Sequence, residues 1–264
     1  MAQITASREA LRRCVTLFGI EFDHLRMDQA VAQLLIWIHE PDEHCRYVVT
    51  PNVDHVVMYQ KSEPLRQAYA EASLVLADGA PVVAASRLLG RPLPERVAGS
   101  DLVPRLFDEA AWQRTRLRVY LLGGAAGVGQ RAAERIEATW PGIEVVGVAS
   151  PPIGFERDPQ QNAELVADIN AREPDLLLVG LGAPKQELWI HRHHRELTPC
   201  LALCIGATID FLAGERSRAP RWMRRVGLEW LFRVLLEPRR LGGRYARDAW
   251  TFPQLFWHEW RAIR

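Results

Sequence analysis

The hydrophobic positions of this chain form short apolar runs that alternate with longer segments of helical periodicity. The short runs predict strands at Tyr47–Thr50, Leu74–Ala77, Leu117–Leu122, Glu144–Ala149, Leu176–Val179 and Leu201–Ile205. The periodic segments predict helices at Met27–His39, Pro64–Glu71, Ala80–Leu89, Asp101–Trp112, Gly127–Trp140, Pro159–Arg172 and Lys185–Arg195. This alternation is typical of an α/β fold, so we predict a Rossmann-like, mostly parallel sheet with helices on both faces.

Beyond Gly214 the pattern changes to that of an amphipathic helix. From Arg221 to Leu236 a polar row repeats every four residues between two apolar rows, and Pro238 ends the pattern. Such a helix either docks on the sheet domain or lies in a membrane interface, and the pattern leaves both open. We therefore divide the chain into an α/β domain over residues 1–213 and a C-terminal appendage over residues 214–264.

Charge is distributed unevenly between these two parts. The whole chain has a net charge of +1, but residues 214–264 contain twelve arginines against five acids, which leaves the remainder at −6. Five of the nine tryptophans lie in the same tail. A basic, aromatic segment suits either nucleic acid or an anionic membrane surface.

The sequence also indicates a compartment. It shows neither an apolar run long enough to span a bilayer nor the pattern of a cleaved secretory signal, so we expect a cytoplasmic protein. The four cysteines lack CxxC spacing, which favours structural thiols.

Polar residues follow two of the predicted strands. Thr50 and Asn52 flank a proline after one strand, and Asp78 precedes a glycine after the next. In open α/β sheets, ligands bind outside the carboxyl ends of the strands, so these side chains are candidates for substrate contact. Taken alone, Asp78 could instead be the N-cap of the following helix.

Two glycine-rich junctions also lie where predicted strands meet helices. The run Gly123–Gly129 fits neither the dinucleotide nor the P-loop spacing, and it predicts either a phosphate contact or a tight turn. The second junction places Lys185, Gln186 and Glu187 in a first helical turn. A lysine at that position opposes the helix dipole, which indicates an anion nearby.

Metal chemistry is not expected. His191, His193 and His194 lack HExxH spacing, and the chain has no Asp-x-Asp motif. If a protein without these metal-binding motifs used a nucleotide-sugar, it would have to neutralise the leaving diphosphate with arginines and backbone amides.

Together these motifs resemble the WecG/TagA/CpsF family of bacterial glycosyltransferases, glycosyltransferase family 26. The resemblance covers roughly residues 15 to 245 and is carried by several short stretches: residues 19–30, Thr50–Asn52, Ala77–Gly79, Arg96–Asp101, Gly123–Gly124, Gly182–Glu187, Gly206–Gly214, Arg218–Pro220, Gly227–Leu231 and Pro238–Arg240. The aromatic segment after Tyr245 departs from the part we can align, and it either extends a membrane contact or builds an oligomer interface.

The resemblance implies an inverting, metal-independent hexosyltransferase without a cofactor. It would move N-acetylmannosamine, its uronate or glucose from a UDP-sugar to an undecaprenyl-diphosphate-linked sugar during cell-surface polysaccharide assembly. The enzyme would work at the cytoplasmic face of the membrane as a peripheral protein, with a homo-oligomer possible and nucleic acid not a partner.

The resemblance also assigns roles to residues. Asp78 would be the general base, and Thr50 and Asn52 would position the sugars. Arg96 would contact a diphosphate, while Gln186 and the Gly123–Gly124 loop would hold the nucleotide-sugar. The remaining candidates for substrate contact are Gly182, Lys185 and Glu187 beside Gln186, and Arg233, Arg239 and Arg240 toward the lipid diphosphate.

Two other functions compete with this interpretation. An NAD-dependent oxidoreductase on a similar sheet needs an acid about 20 residues after its glycine-rich loop; Glu144 lies near that distance, but the glycine spacing does not fit. A nucleic-acid-binding protein would instead use the arginines and tryptophans of the tail.

Overall fold

A computed structural model describes residues 13–198, 200–216, 218–220, 223 and 229–263. The first described element is an antiparallel hairpin of β1 (Cys14–Leu17) and β2 (Ile20–Asp23). A parallel sheet follows, built from β3 (Arg46–Val49), β4 (Leu74–Val75), β5 (Leu117–Gly123), β6 (Ile143–Ala149), β7 (Leu176–Gly180) and β8 (Leu201–Cys204). Its order is β4-β3-β8-β7-β5-β6, so the predicted sheet is confirmed.

Helices cover both faces of the sheet. They are α1 (Met27–His39), α2 (Val53–Tyr59), α3 (Glu63–Ala70), α4 (Ala80–Leu88), α5 (Gly99–Trp112), α6 (Val128–Thr139), α7 (Pro159–Arg172), α8 (Lys185–His193), α9 (Thr208–Ala213), α10 (Glu229–Leu236) and α11 (Pro238–Ile263). The bounds predicted for α1 and α7 are confirmed. In α7, Asp158 accepts hydrogen bonds from the first-turn amides and Pro159 occupies the first position, which is worth about 1 kcal/mol.

Each face of the sheet has its own core. Tyr47 and Tyr120 lie on one face with Phe22 of the hairpin, and Leu34 and Phe107 lie on the other. The hairpin was not predicted from the sequence. It is attached to the sheet edge because the Asp23 carboxylate accepts a hydrogen bond of 2.8 Å from the Val75 amide.

The C-terminal segment packs on the sheet domain. Helix α11 runs along α2, with Leu241 and Asp248 buried and the Phe252 ring 5.2 Å from the Phe18 ring. The predicted amphipathic helix is present from Glu229; its earlier residues, apart from Met223, lie outside the described residues. The division after residue 213 stays a prediction, although these contacts show the described tail docked on the preceding fold.

Within the described ranges, we find no helix apolar enough over a sufficient length to cross a bilayer.

Candidate active site

The carboxyl ends of β3, β7 and β8 open into a cavity of about 540 Å³, here named the strand-end cavity. Its floor comes from the segments that follow these strands and its outer wall comes from the tail. Its lining includes Thr50, Asn52, His55, Gln186, Arg216 and Arg244. The parallel sheet thus brings together side chains that lie far apart in the sequence.

A second cavity of about 310 Å³, the tail cavity, lies between the start of α4 and helices α10 and α11. Trp230, Tyr245 and Phe252 give it an aromatic wall. The residues that line both cavities are Asn52, Asp54, Asp78, Ser100 and Arg244. Asp78 therefore stands where the two cavities meet.

The backbone around Asp78 turns its carboxylate toward this junction. Its amide donates to the Pro51 carbonyl at 2.9 Å, and its side chain is 27% exposed. The N-cap of α4 is Gly79, with φ of +106°, and not Asp78. The alternative in which Asp78 caps the helix is therefore wrong.

Arg96 lies within a group of carboxylates beside Asp78. Its Nη1 is 3.5 Å from Asp78 and 3.7 Å from Glu229, while Nη2 bonds Asp101. Burial lowers the pKa of Arg96, but the charges of Asp78, Asp101 and Glu229 outweigh it and raise the pKa overall. The arginine is held charged at the cavity junction, and its contact with a diphosphate stays a prediction.

Thr50 and Asn52 hold positions beside Asp78. The Thr50 hydroxyl donates to the Cys204 carbonyl at 3.2 Å and so joins the ends of β3 and β8. The Asn52 Oδ1 accepts from the Asp54 amide at 3.0 Å and from the His55 amide at 3.4 Å, which caps α2. Both residues face the strand-end cavity.

Gln186 also reaches this cavity, whereas Glu187 is fully buried behind it. The Gln186 Oε1 accepts from the Gly206 amide at 3.0 Å, and its Nε2 donates to Glu187 at 2.8 Å. Glu187 also lies 3.2 Å from His55. A direct contact of Glu187 with substrate stays a prediction that this geometry does not favour.

The glycine-rich junctions have different surroundings. A Cβ on Gly123 would lie 2.4 Å from the Gly180 carbonyl oxygen, so close packing against β7 requires glycine there. The choice between a phosphate contact and a tight turn stays open. Among the described residues, the lining of the two cavities includes Gly182 but not Gly123 or Gly124. Lys185 Nζ lies 3.5 Å from Glu156, and its contact with a substrate anion stays a prediction.

The tail contributes arginines other than the three that the resemblance indicated. Arg239 is exposed, and the side chains of Arg233 and Arg240 lie outside the described residues. Among the side chains of the tail that the structure describes, the arginines that line the strand-end cavity are Arg216 and Arg244. The sequence could not single them out, because twelve arginines share this segment and nothing in their spacing marks those that face the cavity.

Within the described part of the chain, no group of three or more His, Cys, Asp or Glu side chains is arranged to hold a metal ion. Metal-independent chemistry nevertheless stays a prediction, because Mg²⁺ often binds through one or two carboxylates together with substrate phosphates.

Comparison with known proteins identifies the type of enzyme. Residues 15–264 match the Glycosyl transferase WecG/TagA/CpsF family. The chain is 33% identical over 194 residues to an N-acetylglucosaminyldiphosphoundecaprenol N-acetyl-beta-D-mannosaminyltransferase of Bacillus spizizenii, covering 74% of this chain and 72% of the relative. It is 30% identical over 232 residues to proteins of the same name in two Staphylococcus aureus strains, covering 86% of this chain and 87% of each relative.

The protein is thus a glycosyltransferase. Within that class the chain belongs to the WecG/TagA/CpsF family, as its motifs predicted. The match extends through the aromatic segment after Tyr245, which motif comparison alone had left outside the family. Family membership favours the transferase over the oxidoreductase and the nucleic-acid-binding protein.

Proposed function

We propose that this enzyme transfers N-acetylmannosamine from its UDP derivative to N-acetylglucosamine carried on a polyprenyl diphosphate, with inversion at the transferred anomeric carbon. The names of the related enzymes support this acceptor and this sugar. The observation that carries the proposal is the position of Asp78 at the junction of two cavities of different character.

In this mechanism Asp78 accepts the proton of the acceptor hydroxyl as its oxygen attacks the anomeric carbon. The bond from that carbon to the UDP oxygen breaks, and UDP leaves with the electron pair. Attack from the face opposite UDP inverts the configuration, which suits a base placed between a donor and an acceptor cavity. General-base catalysis of this kind contributes about 10² to 10⁴ in rate.

The strand-end cavity is the donor side in this proposal. Arg216 and Arg244 bring positive charge to it, each held by carboxylates: Arg216 by Asp210 at 3.1 Å, and Arg244 by Asp54 at 3.5 Å. Charge-assisted hydrogen bonds from arginine suit diphosphate oxygens. A bound UDP-sugar would share these cations with their carboxylate partners.

The tail cavity is the acceptor side. Its aromatic wall of Trp230 and Tyr245 offers apolar surface to a sugar ring and to the first lipid units. Outside it, Leu235 and Trp250 are 70% and 76% exposed on a segment rich in arginine. Each basic residue near an anionic leaflet contributes about 1 kcal/mol, so we expect peripheral, reversible docking on the membrane.

The direct test is a panel of donors with one synthetic polyprenyl-diphosphate N-acetylglucosamine acceptor. We expect transfer from UDP-N-acetylmannosamine, with the product mass and the inverted anomeric signal measured by mass spectrometry and NMR. Preferential transfer from the UDP-uronate or UDP-glucose would change the donor assignment. A lack of transfer from every donor would refute the proposed function.

A further inference from the structure

A buried hydrogen-bonded chain runs beneath the candidate site and joins its two ends. It leads from Asn52 through His55 and Glu187 to Gln186, whose carboxamide also accepts from the Gly206 amide. The His55 and Glu187 side chains are 9% and 1% exposed. Asn52 and Gln186 both line the strand-end cavity, so the chain connects two groups that face the same ligand space.

The hydrogen-bond partners determine how His55 is protonated. Asn52 Oδ1 already accepts from two backbone amides, so it is the oxygen of that carboxamide, and it lies 2.9 Å from His55 Nδ1. Nδ1 must then donate. The backbone N–H of Asn52 also points to Nδ1 at 3.4 Å, and in that contact Nδ1 would accept. The 2.9 Å contact with Oδ1 is the shorter of the two and requires a proton on Nδ1. Nε2 lies 3.2 Å from a Glu187 carboxylate oxygen and also donates.

A ring that donates from both nitrogens is an imidazolium. Burial acts to lower the pKa of His55, but the hydrogen bond and charge of Glu187, with the charges of Asp54 and Asp78, outweigh it and raise the pKa. The charged and titratable groups around the His55–Glu187 pair are Asp54 of α2, Asp78 after β4, the buried Tyr69 of α3, the buried Cys204 of β8 and Arg244 of α11.

Resting on the proposed function, we infer that His55 is a positioning residue for the transfer reaction: held by Glu187, it fixes the Asn52 carboxamide with its oxygen inward and its NH₂ group toward the substrates. The loss of the Nδ1 proton would leave two acceptors facing each other at 2.9 Å. Asn52 would then turn its NH₂ group away from the cavity junction. Misplacement of a positioning group on this scale costs up to about 10² in rate.

Two substitutions distinguish the role of the His55 Nδ1 donor from that of the Nε2 donor. His55→Asn keeps a donor where Nδ1 lies but leaves Glu187 without its buried partner. His55→Gln keeps a donor near Nε2 but removes the one to Asn52. We expect His55→Asn to lower the melting temperature but to keep kcat within about threefold of the wild type. His55→Gln should retain a higher melting temperature but lose about tenfold or more in kcat.

The pH profile gives a second readout. Wild-type kcat should fall at alkaline pH as His55 loses its proton, and His55→Asn should lack that decline. A matched control is Glu196→Gln, which alters the His193–Glu196 pair at 3.4 Å elsewhere on the protein and should leave the profile unchanged. If kcat instead follows stability in both His55 variants, or both keep the alkaline decline, the positioning role is wrong.

The protonation state can be measured without any turnover. In ¹⁵N-histidine NMR of the full chain at pH 7, both His55 nitrogens should give imidazolium signals, assigned by their loss in His55→Asn. A neutral ring would overturn the inference even in an active enzyme. Conversely, an imidazolium in a protein that transfers none of the tested sugars would refute the proposed function while leaving the protonation of this pair established.

Discussion

Asp78 and Arg96 face each other across the junction of the two cavities, with 3.5 Å between Oδ1 and Nη1. The distance is longer than a normal hydrogen bond, and Arg96 bonds Asp101 more closely. Asp78 thus has a cation beside it whose closest contact is with Asp101. The positive charge of Arg96 favours the ionised form that a general base needs.

Asp78→Asn should reduce turnover by at least about 10², because an amide cannot take the acceptor proton. The Kd for UDP should change less than about threefold, since the strand-end cavity keeps its shape. Turnover by a radiolabelled donor assay and UDP binding by calorimetry measure the two effects. Asp28→Asn on the exposed surface is the control. Near-normal turnover in Asp78→Asn would remove this residue from the mechanism.

Asp101 should contribute to stability in a pH-dependent way. Burial acts to raise its pKa, but Arg218 and Arg96 outweigh that effect and hold the pKa below its ordinary 3.8. Because the pKa of Asp101 is lower in the native state than in the unfolded chain, the ionised carboxylate stabilises the fold when the pH is above the unfolded-state pKa. This contribution is lost as the pH falls through the lower native-state pKa. Asp101→Asn should therefore lower the melting temperature clearly at pH 7 and less at pH 3, measured by circular dichroism. An equal loss at both pH values would contradict the ion-pair explanation.

Leu241→Ala should loosen the tail. Leu241 is 2% exposed and lines the strand-end cavity, so its truncation should cost about 2–5 kcal/mol of unfolding free energy. Limited proteolysis should cut α11 sooner than in the wild type. The matched control is Leu235→Ala, whose side chain is 70% exposed and should change little. If both variants behave alike, α11 does not depend on Leu241 for docking.

Replacing Trp250 and Trp257 together by serine should weaken membrane association. These side chains are 76% and 54% exposed on α11. We expect several-fold less co-sedimentation with anionic vesicles and a higher KM for a long-chain acceptor, with turnover of a short-chain acceptor retained. Trp112→Ser removes an 84% exposed tryptophan outside the tail and serves as the control. An equal effect of Trp112→Ser would argue against a specific contact by the tail.

Gly123→Ala and Gly182→Ala should lower the free energy of unfolding by different amounts. Both positions have positive φ, which costs roughly 1–2 kcal/mol for alanine, but only Gly123 would also press a Cβ against the Gly180 backbone. Gly123→Ala should therefore be the less stable variant in urea unfolding. Equal stabilities would show that the backbone at the end of β5 relaxes easily around an added methyl group.

The strand–helix alternation predicted the sheet well because each buried strand is a short run of apolar residues. It did not predict α2, which begins within two residues of Pro51 and depends on the Asn52 cap for its start. The hairpin was missed because β1 and β2 have four residues each and are joined by a two-residue turn at Phe18 and Gly19. Both elements are stabilised by contacts distant in sequence, which a local pattern cannot show.

The candidate site was predictable where a residue lies within three positions of the end of a strand, as with Thr50, Asn52 and Asp78. His55 gave no such signal, because it follows a capping residue within a helix and its partner Glu187 lies 132 positions later. Arg216 and Arg244 could not be predicted for another reason. The segment contains many arginines that are equivalent in the sequence, and only the fold determines which of them line the cavity.

The contact of Phe252 with Phe18 joins the last helix to the first hairpin. Because α10 and α11 supply the second wall of the tail cavity, a growing chain on the ribosome lacks that wall until residues 229–253 have been made. The tail also forms the outer wall of the strand-end cavity, so a chain cut short before this segment would lack an enclosed space on either side of Asp78.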